Sequence, residues 1–138
     1  MGVMATHTTF RRHAAVHVEL FVTARPERGK VRRACRAVYA RVRPATARGG
    51  GDGPWLYLLT RPTRRSFIPE HLRRAMGVRT GEDLWLELAF YPSIPRGRAT
   101  IRALWKDPDV REKLLRAEGF NLRRRGSWTI GNGELQSV

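Results

Sequence analysis

Between residues 15 and 42 the hydrophobic period changes once, from two to about 3.6, and that switch restricts the fold of this chain more than any other feature. From Ala15 to Thr23, Val16, Val18, Leu20 and Val22 alternate with His17, Glu19, Phe21 and Thr23. Period two in residues that favour extended backbone predicts a strand. After the turn signal Arg25-Pro26, Val31, Ala34, Cys35, Val38 and Val42 fall at i, i+3, i+4, i+7 and i+11, one face of an α-helix. The opposite face carries Arg28, Arg32, Arg33, Arg36 and Arg43. Pro44 is expected to end this basic amphipathic helix, because a proline pushes the preceding residue out of the α region. A half-apolar strand feeding such a helix needs further strands and helices to bury both.

The remaining chain supplies them. Arg48-Gly49-Gly50-Gly51-Asp52-Gly53-Pro54 is a run of turn formers, a surface loop and not a phosphate cradle, since no Gly-Lys-Ser/Thr opens a helix there. Trp55 to Thr60 is a short apolar run that reads as a buried strand. Residues 64–90 read as an extended segment, a short helix opened by Pro69, a glycine turn, and a strand alternating through Leu84, Leu86 and Leu88. Ile101, Leu104 and Trp105 mark a helix after Pro95. Asp107 then caps a second one, with Pro108 at its first position, Gly119 at its end, and Val110, Leu114 and Leu115 inward. Arg123, Arg124 and Arg125 form a cation cluster in a loop before a terminal hairpin, Ser127–Ile130 and Glu134–Gln136 around Gly131-Asn132-Gly133. The order β-α-β-(short α)-β-α-α-β-β predicts an α+β fold. At 138 residues this is one small domain over 15–138, behind a mobile basic leader at 1–14. A mixed or antiparallel sheet with helices on one face is expected.

Charge sets the expectation for function. Of 27 cationic residues 24 are Arg, and the formal net charge is +15. Residues 1–80 hold 17 cationic and 4 acidic side chains, residues 81–138 hold 10 and 8, so the excess sits in the first half. A GC-rich genome favours Arg codons without any functional reason, but the net excess is harder to dismiss. A field this large repels itself, and a polyanionic partner is the natural compensation.

Catalytic and metal chemistry find little support. His7, His13, His17 and Glu19 do not match a helix-borne ligand set. His71 reads as a solvated first-turn residue, and Asp107 and Asp109 as helix-capping acids. No nucleophile, base and orienting group assemble, so no catalytic residue, metal or cofactor is expected. Cys35 has no intramolecular disulfide partner and sits in an apolar helical row, so it reads as a small buried hydrophobe. Most of Trp55, Trp85, Trp105 and Trp128 belong to the core by their apolar flanks. No stretch approaches the roughly eighteen apolar residues of a membrane span, and the start lacks the pattern of a signal peptide, so a cytoplasmic location without membrane partners is expected.

Within residues 64–90 stand Arg64-Arg65, Ile68-Pro69, Leu72-Arg73, Ala75-Met76, Gly77-Val78, Gly81-Glu82, then Leu84, Leu86 and Leu88. This stretch, about a fifth of the chain, resembles the swapped-hairpin motif of AbrB-type transcription regulators. The resemblance implies a β-α-β hairpin, a homodimer formed by interleaved hairpins, and DNA contacts from Arg64 and Arg65, with Arg73 and Arg74 on phosphates. The element order is also similar to ferredoxin-like α/β dimers, which speaks to architecture alone. The resulting expectation is a non-enzymatic nucleic-acid-binding protein, DNA foremost, acting through Arg64, Arg65, Arg73, Arg74, Arg32, Arg36, Arg123, Arg124 and Arg125. Two alternatives stand beside it: a small anionic ligand or an enzymatic reaction in a pocket between sheet and helices, and docking of the basic helix on an acidic protein.

Overall fold

The computed structural model describes residues 15–48, 54–60, 70–130 and 135–137. The expected leader 1–14, the Arg64-Arg65 pair and the Gly131–Gly133 turn lie outside them. The strands are β1 (Ala15–Ala24), β2 (Trp55–Thr60), β3 (Glu82–Tyr91), β4 (Arg123–Ile130) and β5 (Leu135–Ser137). They form one sheet in the order β2-β3-β1-β4-β5, every neighbour antiparallel. The helices are α1 (Arg28–Arg48), α2 (Glu70–Ala75), α3 (Ile94–Lys106) and α4 (Pro108–Glu118), with a single 3-10 turn at Arg25–Glu27 before α1. The fold is α+β. Because β3 lies between β1 and β2 and runs against both, β1 and β2 are parallel to each other and joined through α1; β3 and β4 are likewise parallel across β1 and joined through α3 and α4. These are two split β-α-β units sharing one sheet.

The pleat of β1 divides the core. His17, Glu19, Phe21 and Thr23 face the side that carries α1, α3 and α4. Phe21 and Trp85 stack at 5.9 Å and pack with Val31 and Cys35 of α1. Ala15, Ala89, Tyr91 and Trp128 receive Ile94 and Ile101 of α3. The helices close on each other through Val38, Val42, Leu104 and Val110. The apolar row foreseen on α1, Val31, Ala34, Cys35, Val38 and Val42, is buried throughout. Trp85 is 1% exposed and meets its single donor requirement by giving Nε1–H to Thr23 Oγ1 at 2.8 Å.

The opposite side carries Val22 and Leu84, covered at one end by α2 and the turn after it through Leu72, Met76 and Val78. α2 lies between two paired antiparallel strands, β2 and β3; the extended segment expected just before Pro69, the first arm of the hairpin foreseen at 64–90, lies outside the described residues. Gly77 and Gly81 hold φ of +62° and +83°, backbone that only glycine adopts without strain. Both hydrogen-bonding edges of β3 are occupied within the chain, so exchanging it between two copies would break two ladders.

Three details differ from expectation. Pro44 does not end α1, which continues to Arg48; Pro44 leaves the Ala40 carbonyl without its helical donor, and the turn is held two residues on, where Thr46 Oγ1 donates to Val42 O at 2.8 Å. Leu115 is 54% exposed and lies outside the inward row of α4. The Arg123–Arg125 triplet is the start of β4 and not a loop, because Leu122 N–H already donates to Val22 O at 2.8 Å and carries the chain into the β1 ladder. Asp107 caps α4 as foreseen, its Oδ1 accepting from the Asp109 and Val110 amides at 3.1 and 3.2 Å.

Candidate functional site

The cations singled out in the sequence fall on two sides of the sheet. Strand period separates the Arg123–Arg125 triplet: Arg124 turns to the helix side and Arg123 and Arg125 to the other. Arg123 is a structural clamp. Its Nε donates to Met76 O at 3.0 Å, and Nη2 donates to Gly77 O at 3.0 Å and to Glu82 Oε2 at 2.6 Å, tying the glycine turn to β4. Arg124 bridges Glu19, at 3.3 Å, and Glu118. Arg73 is half-buried, 3.9 Å from Glu70, and its Nε is buried without a hydrogen-bond partner. Arg74 and Arg125 are exposed on the α2 side. Arg32 and Arg36 are exposed on the outer surface of α1.

Each of the ten Asp and Glu side chains among the described residues already has a partner inside the chain. Asp83, 2% exposed, takes a bidentate pair of hydrogen bonds from Arg28 at 2.6 and 2.7 Å and a longer one from Arg25 at 3.3 Å. Burial alone would raise its carboxyl, but the Arg28 and Arg25 hydrogen bonds outweigh burial and hold it below the usual range. Glu27, Glu70, Glu82, Asp109, Glu112, Glu19 and Glu118 pair with Lys or Arg, Asp107 caps α4, and Glu87 accepts from Tyr39. Acidic partners are thus used up while exposed cations remain. Arg32, Arg33 and Arg36 on α1, Arg96, Arg98, Arg102 and Lys106 on α3, and Arg111 on α4 are exposed on the helix side without an ion pair to a described carboxylate.

Two helical stripes stand out in this set. Arg98, Arg102 and Lys106 follow i, i+4, i+8 along α3, and Arg32 and Arg36 are i, i+4 on α1. Like charges at this spacing destabilise a helix by about 0.2–0.5 kcal/mol per pair. The α3 stripe went unnoticed in the sequence because each of its residues reads alone as solvated; testing every helical segment for like charge at i, i+4 would have found it.

A second feature lies under the helix layer. Glu19 and Glu87 are directly opposite in the β1–β3 register, on the helix side of the sheet. Glu87 Oε2 accepts from Tyr39 OH at 2.8 Å. A cavity of about 60 Å3 opens beside them, walled by Cys35, Val38 and Tyr39 of α1, Leu114 and Ala117 of α4, and Phe21. Burial first, and the facing Glu19 second, push the Glu87 carboxyl up to about 7, against the pull of Tyr39 and Arg124. Burial also raises Glu19, opposed by Arg124, raises the Cys35 thiol to about 12, and raises Tyr39. His17, its ring tilted against Trp128 at 4.8 Å, is lowered by burial and then by Arg124. The pocket expected between sheet and helices exists, but its lining is acidic, which does not suit a small anion. No group of three or more metal-ligating side chains occurs among the described residues.

Glu87 makes stability depend on pH. A carboxyl near 7 in the fold and near 4.5 when unfolded binds more protons folded, so its contribution is complete below about 4.5 and is lost as pH rises towards 7. That difference is on the order of 3 kcal/mol. Glu19 acts in the same direction and His17 in the opposite one, since a lowered imidazole favours the unfolded state as pH falls. Urea denaturation at pH 5, 6.5 and 8 should show Glu87→Gln matching the parent at pH 5 and exceeding it at pH 8. An equal offset at all three values would exclude this origin.

No described helix is long and apolar enough to cross a membrane. Neither known protein-family models nor curated proteins match this sequence.

Proposed function

We propose that the protein is a non-enzymatic nucleic-acid-binding protein that grips backbone phosphates through the helix side of the fold, with DNA the favoured form. One observation carries this reading: every described carboxylate is engaged within the chain, while Arg32, Arg33 and Arg36 of α1, Arg96, Arg98, Arg102 and Lys106 of α3 and Arg111 of α4 are exposed without an ion pair to any of them. Like-charged i, i+4 stripes cost helix stability and gain nothing inside the monomer, whereas guanidinium groups spaced along a helix match a line of phosphates. Contacts of this kind position a duplex and carry little base information. Arg74 and Arg125 form a smaller set on the other side; Arg64 and Arg65, the DNA contacts that the AbrB-type resemblance implies, lie outside the described residues.

Fluorescence anisotropy with a labelled 20-base-pair duplex tests the reading. Binding should be measurable at 50 mM salt and weaken at least a hundredfold by 200 mM, as expected for about four to six phosphate contacts. Replacing Arg32, Arg36, Arg98 and Arg102 together by Ala should flatten the slope of log affinity against log salt by about 3 to 4. Absence of binding at 50 mM salt would overturn the proposal.

A further inference from the structure

We propose that the cavity beside Glu19 and Glu87 is a binding site for a small primary ammonium group, with these two carboxylates as its acceptors. In a chain with 27 cationic and 12 acidic residues, a carboxylate under the helix layer without a cation of its own is an anomaly. Glu87 is that case: its described partner is the Tyr39 phenol. Arg124, the cation whose charge reaches Glu87, is committed to Glu19 and Glu118, so three carboxylates share one cation. Leaving a partly buried, largely desolvated anion uncompensated is costly, and an ammonium ion entering the cavity would remove that cost.

The surroundings fit this ligand class. The cavity of about 60 Å3 is well under half the roughly 150 Å3 that accommodates benzene, so it admits a head group of a few heavy atoms. Phe21, Val38 and Leu114 give it apolar walls that suit a short alkyl stem. Cys35, 6% exposed, lines the same space with a thiol that has no hydrogen-bond partner among the described residues. The charged and titratable groups around Glu87 are Glu19 from β1, Tyr91 from its own strand, Arg124 from β4, Tyr39 and Cys35 from α1, and Glu118 from α4. Binding should therefore strengthen with pH through the range where Glu87 ionises, near 7. The site is separate from the outer cations and stands whether or not nucleic acid binds.

Methylammonium chloride is the probe, compared with sodium chloride at equal ionic strength, on the full chain labelled with carbon-13 at the glutamate carboxyls. At pH 8 the Glu87 resonance should shift saturably, and the thermal midpoint should rise by about 4 °C at ten times the Kd. Affinity should fall at least tenfold at pH 5.5 and at least tenfold in Glu87→Gln. Ala117→Leu, which fills the cavity from α4 without touching either acid, should abolish binding while Glu87 still titrates. The proposal is overturned if methylammonium acts no differently from sodium at pH 8, if Glu87→Gln binds as well as the parent, or if tetramethylammonium, too large for the cavity, binds equally tightly.

Discussion

Replacing Gly97 by Val should lower the unfolding free energy by about 3 kcal/mol and the thermal midpoint by about 10 °C, although the site lies in the first turns of a helix where glycine is ordinarily the weaker residue. Gly97 is buried on the inner face of α3. A Cβ there would stand 2.8 Å from Trp128 Cζ3 and 3.0 Å from Tyr91 Cγ, closer than carbon atoms pack. Neither ring can retreat. Trp128 is 1% and Tyr91 3% exposed, their centroids are 5.6 Å apart, and the sheet lies behind them. The helix would have to lift, opening the cluster of Ala15, Ala89, Tyr91 and Trp128 that seats it. In an exposed helix interior, exchanging glycine for a residue with a Cβ gains up to about 1 kcal/mol. The sign of the effect therefore reports whether α3 sits as described: urea denaturation showing stabilisation would mean that it does not.

Arg28→Ala should cost about 3 kcal/mol at pH 7, the low end for breaking a buried ion pair. Asp83 is almost fully buried, and Arg28 supplies both of its short hydrogen bonds while Arg25 holds only a 3.3 Å contact. Loss of Arg28 leaves the anion under-compensated at the junction of β1, β3 and α1. The low end applies because Arg25 remains. This loss has a pH signature that a packing defect lacks. With its folded carboxyl held low, Asp83 contributes stability that is present above the ordinary carboxylate range and disappears as pH falls through the folded value. The difference between parent and Arg28→Ala should therefore narrow on acidification; a constant difference from pH 7 to pH 3 would assign the cost to packing.

Much of the architecture was legible in the sequence because single elements carried consistent signals. Period two over Ala15–Thr23, the apolar row of α1, the Asp107-Pro108 cap and the glycines at 77 and 81 each had one reading, and their order gives the fold class. Which face of β1 meets the helices was not legible. The valine and leucine row looks like the inner face, yet α1, α3 and α4 pack on the row of His17, Glu19 and Phe21, because Phe21 pairs with Trp85 on β3 and only that side brings both rings under α1. The Glu19–Glu87 pair was hidden for the same reason: it depends on register between strands more than sixty residues apart. Arg123–Arg125 misled because three consecutive cations suggest a solvated loop, whereas a strand sends alternate members to opposite faces. Net charge indicated a polyanionic partner, but only the assignment of each carboxylate to an internal partner distinguishes spare cations from structural ones.

The central claim, that the spare cations of the helix side meet nucleic acid, is most directly tested by following arginine Nε–Hε resonances during titration with a duplex at low salt. Signals of Arg32, Arg36, Arg98 and Arg102 should move together and saturate, while those of Arg28 and Arg123, held by Asp83 and Glu82, stay in place. Movement confined to Arg74 and Arg125, or none at all, would contradict it.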